Sequence, residues 1–60
     1  MEKIGIEDAR TDIEKVMMGL DPGLSEKDHR LYLGGYIDRM FAEGSIDWTD
    51  RNILYLEYSI

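Results

Sequence analysis

Leu20-Asp21-Pro22-Gly23-Leu24-Ser25-Glu26-Lys27-Asp28, residues 20–28, is the stretch that decides how this chain folds. Pro22 presets one backbone dihedral and Gly23 tolerates a positive one, so Asp21-Pro22-Gly23 predicts a chain reversal. Ser25 stands where a helix N-cap belongs, Asp28 completes an acidic variant of the capping box, and Leu24 is placed as a hydrophobic staple. One helix must end before Asp21 and another begin at Glu26.

Upstream of the turn, Ile6, Ala9, Ile13, Val16, Met17 and Leu20 recur at threes and fours, while Glu7, Asp8, Arg10, Asp12, Glu14 and Lys15 fall on the other side. That is the pattern of an amphipathic helix over 6–19, with Gly19 expected as the left-handed residue that closes it. Downstream, Tyr32, Leu33, Tyr36, Ile37, Met40 and Phe41 cover about half of a helix circumference, more than a surface helix needs. Either this second helix is central or part of the arc faces a partner. Gly34-Gly35 sits inside it at a cost of about 1 kcal/mol per Gly relative to Ala. A close helix crossing at Gly34 is the expected reason, with a kink or a docking notch as the alternative.

Gly44 is placed to end the second helix, Ile46 to fold back on it, and Asp47-Trp48-Thr49-Asp50 to repeat the acidic cap spacing. The final segment reads two ways. As a helix, Trp48, Tyr55 and Leu56 share a side; as a strand, Leu54, Leu56, Tyr58 and Ile60 alternate, and the strand would need Lys3–Ile6 or a second copy as its edge. Helix is preferred. The expected fold is all-α, a compact bundle of three short helices forming one domain over residues 1–60.

Thirteen Asp and Glu against seven Lys and Arg give a net charge of −6, with no Cys and one His. A chain this short removes only about 60% of its unfolded surface from water. Without Cys it has neither disulfides nor thiolate metal ligands, so a cytoplasmic location is expected. The N-terminal residues lack the charged and apolar regions of a signal peptide. No apolar run approaches the roughly 20 residues of a membrane span. The negative charge opposes direct binding of nucleic acid or anionic lipid and favours a basic protein partner.

His29, Asp28 and Ser25 are close in sequence, but Asp28 and His29 are adjacent and point to different sides of a helix, and Ser25 is needed as the cap. Asp47 with Asp50, and Glu26 with Asp28, sit at helix N-termini without the spacing of a cation-binding loop. No catalytic constellation, metal site or cofactor is therefore expected, and no enzyme.

Six carboxylates have no local turn or cap to serve: Glu2, Asp12, Glu14, Asp38, Glu43 and Glu57. Arg10 and Arg39 stand at i,i+4 spacing to Glu14 and Glu43. Aromatic side chains all follow residue 30, and of these Phe41 and Trp48 are expected in the core. Partner-binding is expected at Tyr32, Tyr36, Met40 and Tyr58. The leading functional expectation is a small acidic protein-binding module, an inhibitor or adaptor of the kind a phage or mobile element encodes, able to form a homodimer through its second helix. The alternative is a nucleic-acid mimic that blocks the basic groove of a DNA- or RNA-processing enzyme, such as a restriction or CRISPR effector. Its surrogate phosphates would be Asp12, Glu14, Asp38, Glu43 and Asp50.

Overall fold

A computed structural model describes residues 2–60, in which three helices run in the order α1 (Ile6–Gly19), α2 (Glu26–Ala42) and α3 (Trp48–Glu57). No strand occurs among the described residues, so the final segment is a helix and the fold is the all-α three-helix bundle. α2 is the central element, with α1 and α3 each packed chiefly against it.

The turn at residues 20–25 closes by a different device from the one expected. Asp21 Oδ1 accepts from Gly23 N at 2.8 Å and the Asp21 carbonyl accepts from Leu24 N at 3.0 Å, an Asx-type turn. Gly23 and Gly19 both keep negative φ; Gly19 is simply the last residue of α1, and Leu20 N bonds back to the Met17 carbonyl. The caps form as the sequence demands. Ser25 Oγ accepts from Asp28 N at 3.1 Å, and Asp47 Oδ1 accepts from Asp50 N at 2.8 Å. His29 Nε2 lies 3.2 Å from the Asp21 carbonyl oxygen and, as donor, ties the first turn of α2 to this loop.

The C-terminal ends of α2 and α3 share one solution. In α2, Gly44 adopts φ 81°, its N–H donates to the Phe41 carbonyl, and Ser45 N donates to the Met40 carbonyl. These are the two bonds of a Schellman motif. In α3, Ser59 N donates to Leu56 and Ile60 N to Tyr55 in the same pattern, but the left-handed position, φ 56°, is held by Ser59. After the first motif Ile46 is buried; at the second, Ile60 stays partly exposed but its Cγ2 lies over Gly34, where an added Cβ would be 3.1 Å from it. Gly34 thus has a packing reason, but its neighbour is the chain after α3, not a crossing helix.

The core joins Ala9 and Ile13 of α1, Leu33, Ile37 and Met40 of α2, Ile46, and Leu54 of α3. On α3 the inward stripe is Asp50 and Arg51, Leu54 and Tyr55, then Tyr58, in steps of three and four. Of Trp48, Tyr55 and Leu56, expected to share a side, Tyr55 packs against the core while Trp48 and Leu56 are 58% and 83% exposed. The N-terminal residues are clamped over the α2–α3 connection, with Ile4 N donating to the Ser45 carbonyl at 2.8 Å and Lys3 Nζ to Asp47 at 2.8 Å. Arg10 forms ion pairs with Glu7 and with Glu57, so it ties α1 to α3 and does not pair with Glu14.

Two expectations follow. Ser59→Gly removes the left-handed penalty and should stabilise the fold by about 1 kcal/mol, a rise of roughly 4–8 °C in thermal midpoint for a domain of this size. Absence of any rise would show that Ser59 is not strained. Asp47 is held below its ordinary 3.8 chiefly by Lys3, and Glu57 below 4.5 chiefly by Arg10. Groups depressed in the folded state stabilise it above their unfolded values and cease to do so as pH falls through the folded ones. Urea midpoints should hold from pH 7 to about 5, then fall through pH 4 and below, and Asp47→Asn with Glu57→Gln should flatten that fall.

Candidate interaction surface

Because α2 buries Leu33, Ile37 and Met40 on one side, helical spacing places Leu31, Gly35 and Arg39 on the side facing away from the core. Leu31, Tyr32, Gly35, Tyr36 and Arg39 line an open groove of about 340 Å³. Leu31 is 65% exposed and Tyr32 is 55% exposed, while Tyr36 is half-buried and leans on the core. Gly35 forms the floor, and a Cβ built there meets nothing within 4 Å. Arg39 is paired with Glu43 at 3.1 Å, as the i,i+4 spacing predicts.

A second cluster lies where α2 meets α3. The Arg51 guanidinium stands over three rings, 4.3 Å from the Tyr55 centroid, 5.0 Å from Trp48 and 5.8 Å from Phe41. Phe41 and Trp48 meet edge to face at 5.7 Å. Asp38 Oδ1 accepts from Arg51 Nε at 3.0 Å and from the Tyr55 hydroxyl at 2.5 Å. The Tyr55 hydroxyl, ahead of Arg51, holds the Asp38 carboxyl below its usual range, and the same bond raises the Tyr55 phenol. Phe41 and Trp48, read from sequence as core, instead form an exposed aromatic wall braced by Arg51.

The residues expected to bind a partner are therefore divided. Tyr32 and Tyr36 share the groove, Met40 is buried in the core and cannot be reached, and Tyr58 is half-buried with its hydroxyl donating to Glu14 at 3.1 Å. Burial first, then Glu14, raises the Tyr58 phenol. The five surrogate phosphates are spread over all three helices, and three have internal donors: Glu14 from Tyr58, Asp38 from Arg51 and Tyr55, Glu43 from Arg39. Asp12 and Asp50 are half-buried. Leu31 and Gly35 were not among the expected binding residues, although on a helical projection Gly35 lies opposite Leu33 and Ile37 and Leu31 lies beside Gly35, and that was the available signal.

Ser25, Asp28 and His29 are engaged in capping and loop closure. Among the described residues no group of His, Cys, Asp or Glu is arranged to hold a metal ion, and no helix is long and apolar enough to cross a membrane. Comparison with protein-family models, with curated proteins and with solved structures returns no match.

Replacing Arg51 by Met keeps an unbranched apolar stem and removes the charge. It should cost about 1–2 kcal/mol, the sum of an exposed ion pair and surface cation–π contacts, as measured by urea denaturation followed at Trp48 fluorescence. An unchanged midpoint would show that the stack is passive.

Proposed function

We propose that this chain is a non-enzymatic protein-binding module and that its docking surface is the outward face of α2. The observation that carries this is the pairing of two large, exposed apolar side chains, Leu31 and Tyr32, around a mid-helix glycine that the fold itself does not need. Met18 and Leu56 are more exposed still, but Leu31 and Tyr32 are the large exposed apolar side chains that line a common groove with Tyr36 and Arg39. Tyr and Arg, present here as Tyr32, Tyr36 and Arg39, are the residue types that dominate binding hot spots. Such a module acts by covering or bridging a partner's surface, as an inhibitor or adaptor, and its brevity and acidity suit one encoded by a phage or mobile element.

The phosphate-mimic alternative draws less support. Its five carboxylates do not share one helix, and three of them are neutralised or bonded internally. A net charge of −6 remains in its favour.

Immobilised wild-type chain and a Leu31→Glu/Tyr32→Ala variant, both side chains being exposed and outside the core, should differ in what they retain from cell extract. The expected result is a protein held by the wild type, lost by the variant, and kept as salt rises from about 0.1 to 1 M, where the screening length drops from roughly 10 to 3 Å. Retention that ignores the substitutions, vanishes in salt and is displaced by DNA would instead establish the mimic.

A further inference from the structure

We infer that the α2 face is occupied by a second copy of this chain, its α2 crossing the first in antiparallel fashion at Gly35. This rests on the reading of that face as a protein-docking surface and names its occupant. The two glycines of α2 have different environments: Gly34 is buried against Ile60, while Gly35 is exposed with open space where a Cβ would be. A missing side chain on an exposed helix is useful to a backbone that approaches from outside.

The charges around Gly35 specify which backbone. At about 100° per residue, Asp28, Tyr32 and Arg39 lie on one flank of the line through Gly35, and Leu31 and Ala42 on the other. Along the axis, Arg39 is about 6 Å past Gly35, Tyr32 about 4.5 Å before it and Asp28 about 10.5 Å before it. A two-fold axis through the crossing point reverses helix direction and preserves the flank. Each Arg39 then arrives between Tyr32 and Asp28 of the second copy, a cation beside a ring and a carboxylate. Leu31 arrives on the opposite flank between Asp38, which is turned to Arg51 and Tyr55, and the small Ala42. A parallel two-fold would swap the flanks, setting each Arg39 against the second copy's Asp38, which already accepts from Arg51 and Tyr55, and bringing the near-central Asp28 side chains together. The face is therefore self-complementary under the antiparallel two-fold, with Asp28 free of any side-chain ion pair among the described residues and so able to receive Arg39, which is what an isologous dimer needs.

One helix face buries less than the roughly 1,200 Å² of a stable complex, and each copy carries −6. The dimer is accordingly weak and concentration-dependent, best measured at an ionic strength of about 0.15 M, where long-range repulsion is screened.

Sedimentation equilibrium up to about 1 mM chain should show the mass rising from one copy to two. Gly35→Ala should raise the thermal midpoint, because Ala favours the helix and its Cβ meets nothing, yet weaken self-association at least about tenfold by holding the backbones apart. A purely structural glycine would not move those two readouts in opposite directions. Asp28→Arg and Arg39→Asp should each weaken the dimer about tenfold, and the double exchange should recover most of the loss. A wild type that stays monomeric, a Gly35→Ala dimer as tight as the wild type, or a double exchange no better than the single ones overturns the inference. A monomer that still captures another protein through Leu31 and Tyr32 overturns the two-fold pairing while leaving the docking reading in place. A dimer indifferent to both Gly35→Ala and Leu31→Glu/Tyr32→Ala lies elsewhere on the molecule and overturns both.

Discussion

Ile13, Ile37 and Leu54, one from each helix, are the largest fully buried side chains, and the architecture follows from bringing them into one core. Burying such side chains contributes about 1.5–3 kcal/mol apiece, and a chain with no disulfide and little volume has few other sources of stability. The connections between the helices are as tight as that meeting requires. The Asx turn at Asp21 and the Schellman turn at Gly44 each reverse the chain without using a long loop, and both return an apolar or capping residue to the next helix.

The remaining stability is supplied at the edges of this core. Lys3 and Ile4 hold the N-terminal residues over the Gly44–Asp47 connection, and Arg10 joins Glu7 and Glu57 across α1 and α3. Each of these exposed ion pairs is worth little alone, but the contacts span 44 and 47 residues of sequence and so fix the relative placement of elements. The Arg51 stack does the same between α2 and α3. It lets Phe41 and Trp48 remain at the surface without collapsing onto the core, since the guanidinium covers their faces and is itself satisfied by Asp38.

A central helix normally loses its exposed apolar residues to neighbours on both sides. Among the described residues two helices pack against α2, and its third side is left with Leu31, Tyr32 and a bare glycine. The proposed docking surface rests on that asymmetry. A helix packed on two sides is held rigid by them, so the third side is presented without the ordering cost that a flexible segment would incur on binding. A net charge of −6 would disfavour an acidic partner at such a surface.

The sequence by itself determined most of the elements: the first two helices, the caps at Ser25 and Asp47, the reversal at Asp21-Pro22-Gly23 and the closure at Gly44, while the pattern of the last segment is open between helix and strand. These depend on side-chain-to-backbone bonds and periodicity within a few residues, which local order specifies. Only the tertiary structure decided the faces. Met40 went inward and Trp48 outward, Gly34 found Ile60 while Gly35 found nothing, and Arg10 chose Glu57 over Glu14. The physical reason is that an apolar arc wider than the core can cover is divided by where the neighbouring helices lie. That division is set by contacts between residues tens of positions apart, which no local pattern contains.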